Sequence, residues 1–218
     1  MNIKIVVLGG AGLLGSRLVT HLTKSEQLFR IFDLVGSQEI PSFQSVDIEN
    51  VDSLSNLSWS GAIINLSAVH RDDIRPLSRY DNVNTQASVN VYEPALKHDV
   101  NKIMKSSVAL YGFTQADTGE SGEQNYFNDY GWIIYLAESV YKEWQVENPD
   151  NRTLVIVGPV VIFCEGNRGD VYNLLKQNCF GKVRDVWQWL KWVERKLWIR
   201  MKLQLLAGLG LSDRDLFC

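Results

Sequence analysis

Three glycines near the start of the chain have a spacing that suits phosphate binding. Gly9, Gly12 and Gly15 follow the apolar run Ile3 to Leu8 and precede a stretch whose apolar residues recur at helical spacing. In such a loop the first glycine permits a tight turn, the second lets backbone N–H groups approach a pyrophosphate, and the third lets the helix pack closely on the strand. The helix N-terminus adds N–H donors and the positive end of its dipole. The loop therefore predicts a dinucleotide site.

An acidic residue follows the glycine loop at the separation that a ribose contact needs. Asp33 ends the second apolar run, Phe29 to Asp33, roughly 20 residues after the loop. A carboxylate there accepts hydrogen bonds from the ribose hydroxyls of NAD and repels the 2′-phosphate of NADP, so NAD is the predicted cofactor. The alternative is a glycine turn in a fold that binds nothing. The succession of strand, loop, helix and acid argues against that alternative.

The elements that would position these residues alternate along the chain. Besides the runs at 3–8 and 29–33, strands are predicted at Ser42 to Asp47, Gly61 to Leu66, Lys102 to Ser107 and Thr153 to Val157. Helices are predicted at Leu13 to Leu22, Asp52 to Leu57, Val83 to His98 (with Asn82 as capping candidate) and Tyr130 to Glu147. This alternation predicts an α/β fold of the Rossmann type, a doubly wound parallel sheet with helices on both faces.

The bulk composition argues against several classes of protein. The chain has 218 residues with a formal net charge of −3, which does not suit a nucleic-acid binder. We find no apolar run long enough to span a bilayer, and the N-terminal run is too short for a signal peptide. Cys164, Cys179 and Cys218 lack metal-ligand spacing, so no metal site is predicted. We therefore expect a cytoplasmic protein with free thiols.

Further stretches occur in the order found in one known family. They are Asp47-Ile48, Asn65 to Asp73, Tyr80 to Asn84, Ser106 to Gly112, Asn128 to Glu138, Val157 to Pro159 and Glu165 to Gly169. With the glycine spacing they resemble the extended short-chain dehydrogenase/reductase family. That family includes NAD-dependent nucleotide-sugar epimerases and dehydratases such as UDP-glucose 4-epimerase, which commonly serve polysaccharide biosynthesis. The resemblance covers roughly Met1 to Gly181, and the number of linked motifs makes it specific.

The resemblance implies which residues would hold the cofactor and which would act on the substrate. The implied cofactor contacts are Gly9, Gly12, Leu13, Leu14, Gly15, Asp33, Asp47, Ile48, Leu66, Ser67, Ala68 and Asn82. The implied reaction is a hydride shuttle through NAD on a sugar hydroxyl of a nucleotide-sugar, most readily a UDP-sugar. Tyr130 would be the general acid/base, and Ser107 would hydrogen-bond the same oxygen. The alternatives are a strand-end serine and an aromatic residue that packs on the sheet.

One position departs from the family in a way that bears on activity. The family has lysine four residues after the catalytic tyrosine, whereas this chain has Ile134. A free tyrosine has a pKa near ~10 and needs a cationic neighbour to act as a base at neutral pH. We therefore expect impaired activity. A non-catalytic NAD-binding module and an inactive truncated product remain as alternatives.

The composition changes after about Gly181, which divides the chain into a dinucleotide-binding domain at 1–181 and an atypical tail at 182–218. The tail holds four of the seven tryptophans and a local excess of Lys and Arg. It could be a basic amphipathic helix on a membrane or in a partner's groove, although its tryptophans form no single stripe. We favour a change of reading frame near Gly181, which would leave the C-terminal substrate lobe truncated or replaced and the tail poorly ordered. The family resemblance also implies a possible homodimer through the helices at 83–98 and 130–147.

Overall fold

A computed structural model of the chain describes residues 4–36, 40–55, 61–69, 76, 78–98, 100–106, 122–126 and 128–158. The predicted division at residue 181, the tail and Ser107 lie outside these described residues. Within them, no helix combines the length and the apolar character that crossing a bilayer requires.

Six strands and six helical segments form the described part of the chain. The strands are β1 (Ile5–Leu8), β2 (Phe29–Asp33), β3 (Phe43–Ser45), β4 (Ala62–Asn65), β5 (Lys102–Ser106) and β6 (Thr153–Val157). The helices are α1 (Leu13–Lys24), α2 (Val51–Ser55), α3 (Ser78–Tyr80), a π-helical segment (Asp81–Gln86), α4 (Ala87–Lys97) and α5 (Asp129–Val146). Every residue of β1 and β4 is buried, as expected for central strands that are covered on both faces.

The strands form one parallel sheet in the order β3-β2-β1-β4-β5-β6. Ile5 of β1 is in register with Phe29 of β2 on one side and with Ala62 of β4 on the other. The chain thus leaves β1 in one direction for β2 and β3, then returns to the other side of β1 for β4. The predicted doubly wound Rossmann-type fold is confirmed. Ligands of such sheets bind at the carboxyl edge, where the strand order reverses.

Alternate residues of the strands supply two hydrophobic clusters, one on each face of the sheet. On one face Val6 and Leu8 pack with Trp144 of α5 and Val91 of α4. On the other face the cluster consists of Ile5, Val7, Leu18, Leu22, Ala62, Ile64 and Val157, so α1 covers it. The period of two along each strand therefore places α4 and α5 together on one face and α1 on the other.

The helix predicted at 83–98 begins earlier and less regularly than its sequence indicates. The helical backbone runs from Ser78 through the π-helical segment into α4, so Asn82 lies inside it and is not its N-cap. The buried ring of Tyr80 anchors this beginning by packing on Tyr130, with the ring centroids 5.9 Å apart. Contact with another helix thus sets the boundary, which the local sequence does not reveal.

Candidate functional site

Two positions of the loop between β1 and α1 require glycine. Gly9 has a φ of +72°, and a Cβ there would lie 2.7 Å from the backbone nitrogen of Ser67. A Cβ at Gly15 would lie 2.5 Å from the carbonyl carbon of Gly10. The first glycine therefore lets the loop after β4 approach closely, and the last lets α1 pack against the loop itself.

The N-terminus of α1 is open toward the carboxyl edge of the sheet. Gly12 is the exposed N-cap residue, and no side chain among the described residues caps the first turn of the helix. Within the same part of the chain, a Cβ at Gly12 would meet only the carbonyl oxygen of Gly9, at 3.2 Å. The half-buried Leu13 and Leu14 form the start of that first turn. Backbone N–H groups at such an end suit an anion such as a pyrophosphate.

The carboxylate of Asp33 lies at the end of β2 and contacts the glycine loop. Its Oδ2 accepts a hydrogen bond of 3.0 Å from the backbone nitrogen of Ala11, and its Oδ1 one of 3.5 Å from the backbone nitrogen of Val35. The side chain is only half-buried. It can therefore shape the loop and still offer acceptor sites to a ribose.

A buried asparagine of α4 holds the loop after β3. Asn90 donates to the carbonyl oxygens of Ile48 and Glu49 at 2.9 and 3.1 Å. Its own Oδ1 accepts from the amide of Gln86 at 3.1 Å. Asp47 stabilises the same loop by accepting from the backbone nitrogen of Glu49 at 2.9 Å. The predicted adenine contacts Asp47 and Ile48 thus lie on a loop fixed by several hydrogen bonds.

Two more asparagines hold the loop after β4. This loop carries three predicted cofactor contacts, all half-buried: Leu66, Ser67 and Ala68. Oδ1 of Asn65 accepts from the backbone nitrogen of Ser67 at 3.0 Å. Asn84 of the π-helical segment pairs with both backbone groups of Val69, each at 3.0 Å. The loop is therefore fixed at two points by buried side chains.

Tyr130 lies in the first turn of α5, whose N-cap is Asn128. The side chain of Asn128 accepts from the backbone nitrogen of Gly131 at 2.9 Å, which fixes where the helix begins. Tyr130 is half-buried, whereas Ile134, one turn later, is completely buried. Ile134 is apolar and cannot supply the positive charge that would lower the pKa of a neighbouring tyrosine.

The next lysine along α5 does not replace the missing one. Lys142 lies roughly three turns beyond Tyr130. Its Nζ pairs with the carboxylate of Glu138 at 3.4 Å. A charge at that separation from Tyr130, and paired with an acid, has little influence on the tyrosine hydroxyl.

The fold brings most predicted cofactor residues to one edge of the sheet. The glycine loop, Asp33, the loop with Asp47 and Ile48, and the loop with Leu66, Ser67 and Ala68 follow β1, β2, β3 and β4 in turn. Asn82 is exposed on the π-helical segment, and Ser107 lies outside the described residues. Sequence reasoning placed Asn65 and Asn84 in family-like stretches but missed their supporting role, and it missed Asn90 altogether. Asn84 could have been found, because it shares helical spacing with Ala87, Ser88, Val91 and Ala95, all buried.

The chain is similar in sequence to a known protein family and to curated proteins. Residues 5–170 match the NAD dependent epimerase/dehydratase family. Among curated proteins, the N-acetyl-alpha-D-glucosaminyl-diphospho-ditrans,octacis-undecaprenol 4-epimerase of Escherichia coli O157:H7 is 37% identical over 185 residues, which are 84% of this chain and 56% of the relative. The chain thus spans just over half the length of that relative.

Solved structures share the fold at lower sequence identity. The UDP-Glc/GlcNAc 4-epimerase from Campylobacter jejuni superposes with a TM-score of 0.64 at 24% identity, over 70% of this chain and 52% of that one. The UDP-glucose 4-epimerase of Thermus thermophilus in complex with NAD gives a TM-score of 0.62 at 17% identity, over 71% and 54%. Here too the chain matches about half of each known structure.

Proposed function

This chain belongs to the NAD dependent epimerase/dehydratase family, and we propose that it binds NAD along the carboxyl edge of its sheet. The predicted cofactor is confirmed at the level of the family. The observation that carries the proposed site is the contact between the Asp33 carboxylate and the glycine loop at Ala11. This contact supports the proposal because an acid that suits ribose hydroxyls is bonded to the loop that precedes a helix end suited to a pyrophosphate.

The residues of this edge fit a dinucleotide from one end to the other. Gly12 leaves space at the uncapped N-terminus of α1 for the pyrophosphate. Asp33 would accept from the adenosine ribose, and Asp47 and Ile48 would lie at the adenine. Leu66, Ser67 and Ala68 would line the nicotinamide half, and Asn82 completes the proposed set.

We propose that the whole protein's reaction is epimerisation or dehydration of a sugar. NAD would supply a hydride acceptor that also returns the hydride. Tyr130 would take the proton from the sugar hydroxyl and give it back, and Ser107 would hydrogen-bond the same oxygen. Because Ile134 cannot stabilise a tyrosinate or hold the nicotinamide ribose, we propose that turnover by this chain is strongly impaired.

The proposed substrate class is a sugar joined to a diphosphate. The solved relatives are named for UDP-sugars, and the Escherichia coli relative for a sugar on undecaprenyl diphosphate. Both kinds of substrate share the sugar-diphosphate group. A UDP-sugar is our first choice, and the undecaprenyl-linked sugar belongs in the same panel of test compounds. The cytoplasmic location and the role in polysaccharide biosynthesis stay predictions.

A non-catalytic NAD-binding module is the second candidate function. Complete burial of the apolar Ile134 favours this candidate, because the side chain at this position serves the packing of α5 against the rest of the fold. Such a module would keep Gly9, Gly12, Gly15 and Asp33 and would have no need for a lysine. A truncated product without function would bind nothing.

We also propose that two copies associate through α4 and α5. These helices expose large apolar side chains in Val89, Leu96 and Trp132, which are 38%, 40% and 42% exposed. Packing the exposed faces of two copies together would remove this apolar surface from water. Sedimentation of the full chain tests it. A monomer at every accessible concentration would overturn this part of the proposal.

Calorimetric titration of the full chain with NAD, followed by assays with UDP-sugars, tests the proposed function. Saturable binding of one NAD per chain with slow or no turnover is the expected result. Binding together with rates like those of ordinary epimerases would show that another group replaces the lysine. A folded chain that fails to bind NAD would contradict the proposal, and a chain that never folds would identify the inactive product.

A further inference from the structure

Four buried polar residues form two hydrogen-bonded pairs beneath the loop after β4. Asn65, Asn84, Ser88 and Tyr141 are each at most 1% exposed. The amide of Asn65 donates to the hydroxyl of Tyr141 at 2.7 Å. The hydroxyl of Ser88 donates to the backbone carbonyl oxygen of Asn84 at 2.7 Å. The first pair therefore joins β4 to α5, and the second joins α4 to the π-helical segment.

Both pairs are bonded to the same short loop. Oδ1 of Asn65 accepts from the backbone nitrogen of Ser67, and the side chain of Asn84 binds both backbone groups of Val69. Asn65 therefore joins the hydroxyl of Tyr141 directly to the loop. Movement of Tyr141 would shift the backbone that we propose to line the nicotinamide half of NAD.

The roles of the two Asn65 side-chain atoms follow from their partners. Asn65 must present its NH₂ to Tyr141, because its oxygen already accepts from the backbone nitrogen of Ser67. The Tyr141 hydroxyl therefore serves Asn65 as an acceptor.

The burial of Tyr141 keeps its hydroxyl protonated. Burial raises the pKa of Tyr141, and this effect exceeds the opposing effects of Ser88 and Asn65. Its hydroxyl is enclosed between the sheet and the helices, so this tyrosine does not touch a substrate. Its place on α5, the helix that carries Tyr130, makes it a link between that helix and the loop.

We propose that Tyr141 is a positioning residue, which fixes the loop 66–69 against α5 and so sets the affinity of the chain for NAD. This inference rests on the proposed NAD site. The hydrogen bonds from Tyr141 through Asn65 to Ser67 order the loop before the cofactor arrives, which reduces the entropy lost on binding. Removing the Tyr141 hydroxyl leaves the buried amide of Asn65 without its acceptor and releases the loop at that end.

Tyr141→Phe tests the proposal, with Tyr92→Phe as its matched control. Tyr92 lies on α4 and its hydroxyl donates to Glu147 at 2.5 Å, far along the helix pair from the loop. For Tyr141→Phe we expect a Kd for NAD raised about five-fold or more, since an unsatisfied buried amide costs ~1–3 kcal/mol. We also expect faster hydrogen exchange in the segment 66–69. The control should leave both properties unchanged.

Two further variants separate positioning from general stability. Asn65→Ala removes the side chain that joins Tyr141 to Ser67. Ser139→Ala removes a helix hydroxyl that donates to the backbone carbonyl oxygen of Tyr135 at 2.9 Å, away from these bonds. Only Asn65→Ala should weaken NAD binding and speed exchange at 66–69. The inference is overturned if Tyr141→Phe and Asn65→Ala lower the thermal midpoint but leave exchange at 66–69 unchanged. If the wild type does not bind NAD, the proposed function is contradicted. The role of Tyr141 in ordering the loop is still tested in that case, because hydrogen exchange is measured without NAD.

Discussion

The backbone nitrogen of Ala11 donates a hydrogen bond of 3.0 Å to the carboxylate of Asp33, across two neighbouring strand ends. This bond gives Asp33 two tasks, because the residue that suits the ribose also holds the glycine loop in shape. One substitution can therefore weaken cofactor binding by removing a ribose contact and by loosening the loop beside it. The two effects act in the same direction.

Asp33→Asn should lower the affinity for NAD about ten-fold or more, because hydrogen bonds to a charged acceptor contribute ~1.5–3 kcal/mol. The same change removes the repulsion of a 2′-phosphate, so the preference for NAD over NADP should shrink. Calorimetric titration with both dinucleotides measures this. Asp150→Asn is the control, since Asp150 is exposed in the turn before β6, at the opposite edge of the sheet. Equal losses in both variants would contradict the assignment of Asp33.

Gly9→Ala should lower both stability and NAD binding, whereas Gly12→Ala should lower NAD binding alone. The Cβ of the first would collide with the backbone of Ser67 at a positive φ, so we expect a fall in the thermal midpoint as well as weaker NAD binding. At Gly12 the added Cβ meets, among the residues that the structure describes, only the Gly9 carbonyl oxygen, so the fold should persist while NAD binding falls. Thermal melts and titrations of both variants check this. Strong binding by Gly12→Ala would show that the pyrophosphate does not approach this helix end.

Ile134→Lys should raise turnover of a UDP-sugar at least about ten-fold if the lysine is what the site lacks. A cation one turn after Tyr130 would lower the pKa of the tyrosine hydroxyl and bring its titration into the assay range. Because position 134 is fully buried, the variant should also melt at a lower temperature. The measurement is the rate of epimer formation against pH.

The control for that variant is Ile133→Lys, at the neighbouring position that is 9% exposed. It adds the same charge one residue away, in a helix whose side chains turn by about 100° per residue, and should lower stability without raising turnover. An unchanged rate for Ile134→Lys, in a chain that still binds NAD, would favour the non-catalytic module.

Glu147 should make stability depend on pH in the acid range. A hydrogen bond from Tyr92, and to a smaller extent one from Arg152, holds the pKa of Glu147 below its ordinary value of 4.5. The carboxylate therefore stabilises the fold above pH 4.5, and the contribution is lost as pH falls through the lowered pKa. Glu147→Gln should melt at a lower temperature than wild type at about pH 7, with the difference vanishing in strong acid. A constant difference across this pH range would contradict the assignment.

The sequence predicts the fold closely because its signals are local. The bounds of β2 and β6 agree with the structure to the residue, since both are rich in apolar, β-branched or aromatic residues and end abruptly. The glycine loop and Asp33 are equally predictable, because few other residue types satisfy their geometry. Each of these features is determined by residues that are close together in the sequence.

The support beneath the site could not be predicted in the same way. Asn65 and Tyr141 are 76 positions apart in the chain, and neither has a local pattern that reveals its partner. A buried tyrosine in an apolar helix face resembles any other core aromatic residue. Only tertiary packing shows that its hydroxyl faces an amide, and the same holds for Asn90 and the carbonyl oxygen of Ile48.

The pairing of β1 with β4 has a consequence for how the chain folds. Ile5 meets Phe29 after a short excursion of the chain, whereas its other neighbour, Ala62, must arrive across a much longer one. Closure of that longer excursion is entropically costly and belongs to the slow, nonlocal part of folding. The loop after β4 can contact Gly9 only after β4 has paired with β1. A bound dinucleotide should therefore slow unfolding far more than it speeds refolding, because its site is complete only after the sheet has assembled.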